Sequence, residues 1–131
     1  MELKAFIRDV PDFPEAGILF RDITPLLLDA GAFKYTIDQL VERFKAEQLD
    51  VIVGIESRGF LFGAPLAYQL GKPFVPVRKP GKLPAATHTA EYTLEYGSDA
   101  MQIHVDGIGS GQRVLVLDDL LATGGTLEAT V

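Results

Sequence analysis

Two short runs of branched apolar residues constrain the fold of this chain more than any other feature. Val51–Ile55 and Val114–Leu117 are both predicted as buried strands of a parallel sheet. A helix is predicted over 59–70, closed by Gly71, and Phe74–Val77 is predicted as the next strand. This alternation predicts an α/β fold with a mostly parallel sheet flanked by helices. In such sheets, ligands bind beyond the carboxyl ends of the strands.

The first third of the chain gives weaker patterns. Val10 to Thr24 is rich in proline and glycine, which predicts an irregular arm that ends in an extended piece at 18–20. Asp29 is placed to cap the helix that follows. Apolar residues recur at helical spacing from Phe33 to Phe44. We therefore expect an amphipathic helix that packs on the sheet.

The segment between the two apolar runs is predicted to be less regular. Residues 79–91 hold two prolines, a glycine and two threonines, which indicates a long loop. Two short strands are predicted at 92–96 and 101–105, around a turn at 97–99. Gly107–Gly111 resembles a dinucleotide fingerprint, but it precedes a strand, so we interpret it as a turn.

Length and composition exclude several classes of protein. A chain of 131 residues is expected to form a single domain, 1–131, and its net charge of −6 argues against a nucleic-acid partner. It has no cysteine, which excludes disulfides and thiolate catalysis. No apolar run approaches the ~20 residues of a membrane helix, and residues 1–9 have no signal-peptide core. We expect a soluble, cytoplasmic protein with no membrane partner.

Positive charge is concentrated in the middle of this acidic chain. Residues 51–90 carry a net charge of +4 and the rest of the chain carries −10. The basic residues of this segment are Arg58, Lys72, Arg78, Lys79 and Lys82, against the single acid Glu56. Such a concentration is typical of a site that attracts a small anion. The alternative is chance over a short window.

The strand Val114–Leu117 leads into a segment that is suited to a sugar phosphate. Two adjacent glycines in Thr123–Thr126 let backbone N–H groups close around an anion, and a helix predicted to begin near Thr126 favours negative charge there. Asp118 and Asp119 would repel phosphate, so ribose hydroxyls are their expected partners. The pattern predicts a ribose 5-phosphate site. The alternative is a capped turn with solvated acids.

This segment resembles the phosphoribosyl-pyrophosphate-binding motif of the type I phosphoribosyltransferases. Four further segments are similar to the adenine phosphoribosyltransferases, in the order found in that family: 12–25, 56–63, 78–84 and 94–97. The resemblance implies the type I phosphoribosyltransferase fold, with a mobile β flap over the site. It also implies a cytoplasmic homodimer that transfers the phosphoribosyl group of phosphoribosyl pyrophosphate to adenine, which gives AMP and pyrophosphate.

The resemblance implies which residues bind the phosphoribosyl substrate. The predicted pyrophosphate ligands are Glu56, Ser57, Arg58, Gly59, Arg78, Lys79 and Lys82. The predicted ribose and 5′-phosphate ligands are Asp118, Asp119, Ala122, Thr123, Gly124, Gly125 and Thr126. Mg²⁺ is implied as the cofactor, bridging diphosphate and ribose oxygens and keeping several waters, so no dedicated protein cage is expected. The alternative for the basic residues at 78–82 is a solvated loop.

The resemblance also implies an adenine slot and a catalytic flap. Leu19, Phe20 and Arg21 would line the base and Leu120 would cover it, whereas from residue type alone the first two would be ordinary core. Glu95 is the candidate acid–base group on the flap, which Tyr96 would help to close over the site. Glu95, Arg58 and Tyr96 are therefore the predicted catalytic residues.

The chain departs from the family in its length. Members of the family continue beyond the phosphate loop, whereas this sequence stops at Val131, about one turn into the predicted helix. We therefore expect a fragment whose C-terminal part of the fold is missing and whose open sheet edge favours aggregation. Two alternatives to an active enzyme remain: a module that binds phosphoribosyl pyrophosphate without chemistry, and an inactive fragment.

Overall fold

The structure, a computed structural model, describes residues 1–94 and 97–118. The chain divides into two compact units, 1–44 and 45–131. The single domain predicted from the length of the chain stays a prediction. Within the described ranges, no helix is long and apolar enough to cross a membrane.

The first unit opens with a short 3-10 helix, Leu3–Phe6, and two antiparallel strands, β1 (Arg8–Pro11) and β2 (Leu19–Asp22). The Asp12 carboxylate closes the turn between the strands by accepting a 2.8 Å hydrogen bond from the Gly17 amide. The prediction of an irregular arm is therefore wrong at Val10 and Pro11, which belong to β1, whereas the extended piece predicted at 18–20 is confirmed by β2 at Leu19 and Phe20. A two-stranded ribbon tolerates proline at a strand end, so the proline content misled the prediction.

Two helices complete the first unit: α1 (Thr24–Leu28) and α2 (Ala30–Phe44). The Asp29 carboxylate accepts a 2.8 Å hydrogen bond from the Ala32 amide, which confirms it as the cap of α2. Helix α1 was not predicted. Its one local signal is Pro25, which lies in the first turn, where a missing N–H costs nothing.

The second unit is built on a parallel sheet. Its elements in chain order are β3 (Val51–Ile55), α3 (Arg58–Leu70), β4 (Phe74–Val77), β5 (Thr87–Leu94), β6 (Gly97–His104) and β7 (Val114–Leu117). Strand β3 is central and pairs in parallel with β4 on one side and β7 on the other. These elements confirm the predicted α/β fold with a parallel sheet.

The two apolar runs differ in burial. Every residue of β3 is buried, as predicted for a strand flanked on both sides. Strand β7 forms as predicted, but all four of its residues are only partly buried. The prediction of a buried strand is wrong for β7, because this strand lies at the outer side of the three described strands.

Helix α3 packs closely on β3 through small residues. The Leu66 side chain is fully buried at 0% exposure. The ring of Phe74 lies where side chains at Gly54 and Gly63 would be, since a Cβ built at either glycine falls 2.7 Å from a ring atom. The ring of Phe60 meets the same ring edge-on, with centroids 5.9 Å apart. The absence of two side chains thus lets one aromatic ring set the distance between helix and strand.

An antiparallel ribbon of β5 and β6 lies beside the parallel sheet. Thr87 pairs with His104 at one end of the ribbon and Leu94 with Gly97 at the other. The predicted loop 79–91 is therefore too long, because its last residues belong to β5, and the turn predicted at 97–99 lies within β6. Met101 of β6 is buried and joins the core of β3 and β4, which anchors the ribbon to the sheet.

Candidate functional site

Three loops meet at the edge of the parallel sheet formed by the carboxyl ends of the strands, which is the edge where a ligand is predicted to bind. The Glu56 amide after β3 donates a 2.8 Å hydrogen bond to the carbonyl of Val77 at the end of β4. A Cβ at Gly59 would lie 2.6 Å from the Leu117 carbonyl oxygen and 3.4 Å from the Asp118 Cα. The structure therefore brings together the predicted pyrophosphate segments and the first of the predicted ribose acids.

Helix α3 directs its N-terminus to this edge. The helix begins at Arg58, the Glu56–Ser57 peptide before it is cis, and the Ser57 side chain does not cap it. Gly59 is buried, whereas Ser57 is exposed. The N-terminal amides of a helix and the positive end of its dipole favour an anion. This end of α3 is therefore suited to the pyrophosphate that the family resemblance implies there.

The Glu56 carboxylate organises the neighbouring cations. One of its oxygens accepts hydrogen bonds from the Arg78 Nε and the Lys79 amide, both at 3.1 Å. Burial acts to raise the pKa of Glu56, but the Lys79 amide, the Arg78 guanidinium and the charge of Lys82 outweigh it and lower that pKa. Glu56 therefore remains a carboxylate and orients Arg78 and the start of the basic segment.

Lowering the pH should remove the stability that this carboxylate contributes. Because folding lowers the pKa of Glu56 from its ordinary value of 4.5, its contribution is present above that pH and is lost as the pH falls through the folded pKa. Glu56→Gln should lower the free energy of unfolding by about 1 kcal/mol near pH 7 and by much less near pH 3. Thermal melts at the two pH values measure this difference.

The matched control is Glu91→Gln, which changes an exposed glutamate of β5. It should shift the melting temperature equally little at both pH values. If Glu56→Gln lost the same unfolding free energy at both pH values, the ion pair between Glu56 and Arg78 would not be what stabilises the fold.

A second carboxylate reaches the basic segment from β6. The Lys79 Nζ lies 3.5 Å from the Asp99 Oδ2, and the Tyr92 hydroxyl donates to the same oxygen at 3.4 Å. A hydrogen bond from the Ala100 amide, with the nearby Lys79 charge, lowers the pKa of Asp99. Lys82 is exposed. The predicted basic segment is thus held between the sheet and the ribbon, with lysines that remain accessible to an anion.

The predicted adenine residues lie on β2 in the first unit. The Leu19 side chain is 49% exposed, and the Phe20 ring meets the Phe13 ring edge-on with centroids 5.2 Å apart. Arg21 forms an exposed ion pair with Asp9 at 3.3 Å. Their grouping into an adenine slot stays a prediction.

Several predicted site residues lie outside the described part of the chain, and their roles stay predictions. These residues are Glu95, Tyr96, Asp119, Leu120, Ala122, Thr123, Gly124, Gly125 and Thr126. Sequence reasoning missed Asp99 and Gln102, which both contact the basic segment. No local pattern indicates them, because each contact joins residues about twenty positions apart in different elements.

The comparisons with known proteins agree with this geometry. A family model for the phosphoribosyl transferase domain matches residues 27–131. The adenine phosphoribosyltransferase of Acaryochloris marina is 65% identical over 130 residues, which cover 99% of this chain and 76% of that protein. The likeness thus extends through both units.

Solved structures give the same result. The crystal structure of adenine phosphoribosyltransferase from Thermoanaerobacter pseudethanolicus matches with a TM-score of 0.94 and 58% identity, over 98% of this chain and 74% of that one. The enzyme from Saccharomyces cerevisiae, complexed with an imino-altritol bisphosphate and adenine, matches with a TM-score of 0.91 and 47% identity, over 98% and 75% of the two chains. The chain therefore belongs to the adenine phosphoribosyltransferase family.

Proposed function

We propose that this chain transfers the 5-phosphoribosyl group of phosphoribosyl pyrophosphate to adenine and releases AMP and pyrophosphate. The observation that carries the proposal is the meeting of three loops at one sheet edge: 56–59, 78–82 and the residue after β7, Asp118. Cations and helix N–H groups on the first two loops suit a diphosphate. A carboxylate on the third suits ribose hydroxyls.

The same residues account for the chemistry. As the bond from the sugar to pyrophosphate breaks, positive charge grows on the ribose and negative charge grows on the leaving group. Arg58, Arg78, Lys79 and Lys82 are proposed to stabilise the leaving group, and preorganised charges of this kind are a large catalytic contribution. Glu56 is proposed to fix the Arg78 guanidinium at 3.1 Å, so that the cation is already oriented before substrate binds.

Mg²⁺ is proposed to arrive with the diphosphate. Within 1–94 and 97–118, no three His, Cys, Asp or Glu residues are grouped to hold a metal ion. The groups at the sheet edge are mainly cations and backbone N–H donors, which bind phosphate oxygens, so they fit an ion that is coordinated by substrate oxygens and water. Bound in this way, the ion supplies charge neutralisation for the departing pyrophosphate.

The other roles rest on the family resemblance. We propose that Leu19, Phe20 and Arg21 contact adenine, that Glu95 exchanges a proton with the base, and that Asp119 holds the ribose. Asp119→Ala is then expected to weaken binding of phosphoribosyl pyrophosphate, and Glu95→Gln to lower turnover. The homodimer and the cytoplasmic location are proposals on the same basis.

The experiment that tests the function is AMP formation from adenine and phosphoribosyl pyrophosphate in the presence of Mg²⁺. Hypoxanthine and guanine serve as control bases. Adenine-selective turnover supports the proposal. Binding of phosphoribosyl pyrophosphate without any AMP, measured by calorimetry, would instead support a binding module, and the absence of both would overturn the proposal.

Removing one cation should weaken the pyrophosphate site. Lys82→Ala is expected to lower kcat/KM for phosphoribosyl pyrophosphate about tenfold, because a charge-assisted contact to the leaving group is lost. The exposed position of Lys82 makes a loss of stability small. Steady-state kinetics measure the effect. Lys34→Ala, on the exposed face of α2, is the control and should leave kcat/KM unchanged.

A further inference from the structure

One residue of β6 makes a set of hydrogen bonds to the basic segment and to the neighbouring strand. The Gln102 amide donates to the Arg78 carbonyl at 2.7 Å, and the Arg78 amide donates back to the Gln102 carbonyl at 2.9 Å. The Gln102 Oε1 accepts from the Gly81 amide at 3.2 Å, and its Nε2 donates to the Thr89 Oγ1 at 3.0 Å. Backbone and side chain of Gln102 thus hold residues 78–82, the basic turn, at two points.

The two points of attachment fix opposite ends of the basic turn. The backbone pair holds Arg78 at its start, beside the carboxylate of Glu56. The chain then turns, with Gly81 at a φ of +83° and the Lys82 amide 3.4 Å from the Lys79 carbonyl. The side-chain bond to the Gly81 amide therefore restrains the end of the turn that carries Lys82.

The orientation of the Gln102 side chain is set by chemistry. A backbone amide can only donate, so the atom that faces Gly81 must be the carbonyl oxygen of the Gln102 side chain. The Gln102 amide nitrogen then faces Thr89, whose hydroxyl accepts its hydrogen bond at 3.0 Å. Thr89 of β5 thereby keeps the oxygen of Gln102 directed at the basic turn.

We propose that Gln102 is a positioning residue for the pyrophosphate group: its side chain holds the basic turn so that Lys79 and Lys82 are presented to the anion. The inference rests on the proposed function and extends it to a residue that does not itself touch the substrate. The ribbon of β5 and β6 then contributes to the site, because Gln102 of β6 and Thr89 of β5 hold the turn that carries the cations.

Gln102→Leu tests the proposal, because leucine keeps an aliphatic body of similar length and removes both polar atoms. We expect KM for phosphoribosyl pyrophosphate to rise about fivefold, which corresponds to the loss of one hydrogen bond. The kcat should fall as well, because Lys79 and Lys82 also stabilise the leaving group, whereas the KM for adenine should change less than about twofold. Thr89→Val should give a smaller rise, because Gln102 keeps its acceptor but loses the group that orients it.

A matched control is offered by Gln112→Leu. The Gln112 Oε1 accepts a hydrogen bond from the Gly109 amide at 2.6 Å, which is the same kind of bond in a turn away from the basic segment. This variant should leave every kinetic constant unchanged. An equal rise in KM for Gln112→Leu and Gln102→Leu would overturn the proposal.

Hydrogen exchange at the Gly81 amide gives a readout that does not depend on activity. It should become at least about fivefold faster in Gln102→Leu, as its acceptor is lost. Unchanged exchange, or faster exchange with an unchanged KM for phosphoribosyl pyrophosphate, would overturn the positioning role. If the unmodified chain forms no AMP and binds no phosphoribosyl pyrophosphate, the proposed function fails, while the exchange result still reports on the bond itself.

Discussion

Replacing Gly59 by alanine should raise the KM for phosphoribosyl pyrophosphate at least about tenfold. The new Cβ would lie 2.6 Å from the carbonyl oxygen of Leu117, where the neighbour is backbone and no side chain can rotate away. The start of α3 would have to move away from the end of β7. The loop 56–59 and Asp118, which are proposed to bind the pyrophosphate and the ribose, would then separate, so one substrate molecule could no longer reach both. Steady-state kinetics with varied phosphoribosyl pyrophosphate measure the change.

Gly109→Ala provides the control for this variant. A Cβ at Gly109 would meet only the side chain of Gln112, at 3.5 Å or more, so neither the fold nor the KM should change. At position 59, alanine favours the helix over glycine by about 1 kcal/mol. This gain offsets part of the stability that Gly59→Ala loses, but it does not prevent the displacement of α3 from the end of β7. An unchanged KM in Gly59→Ala would show that the close approach does not set the spacing of the two loops.

Leu66→Ala should lower the free energy of unfolding by about 2–5 kcal/mol. Leu66 lies on α3 with 0% of its surface exposed, so the substitution leaves a cavity where the helix packs in the core. The loss lies within this range according to how far the neighbouring side chains close the cavity. Urea or guanidinium unfolding, followed by circular dichroism, measures the change.

The same substitution at Leu61 is the matched control. Leu61 lies on the same helix with 40% exposure, so Leu61→Ala changes helix propensity equally but removes much less buried surface. It should cost less than about 1 kcal/mol. Similar losses for both variants would contradict the assignment of Leu66 to the core.

Local patterns predicted the strands and helices that carry their own signal. The runs of branched apolar residues predicted β3 and β7, and the capping residue Asp29 predicted the start of α2. Gly71 predicted the end of α3, and in the structure it has the left-handed φ of +67° that glycine favours. The first part of β5 was missed, because proline and glycine upstream indicated a loop. The burial of β7 was overestimated, because apolar composition does not say how many neighbours a strand has.

The order of the strands alone predicts part of the site, namely which loops meet at one edge of the sheet. Parallel strands put their following loops at one edge, so the order of strands and loops is enough to expect Glu56 and Asp118 together. Arg78 was expected in the site from its charge and from the family resemblance. The pairing of Glu56 with Arg78 and the support from Gln102 could not be expected. They depend on side-chain contacts between distant segments, and a single sequence carries no local signal for such contacts.

The packing of Phe74 between Gly54 and Gly63 links the evolution of three positions. Its ring fills space that two missing side chains leave free, with ring atoms 2.7 Å from a Cβ at either site. The three residues therefore share one fixed volume. Relatives that gain a methyl group at position 54 or 63 are expected to carry a smaller residue at 74, so substitutions at these sites should covary across the family. A designed variant with a larger residue at one of these three positions therefore needs a smaller residue at another of them.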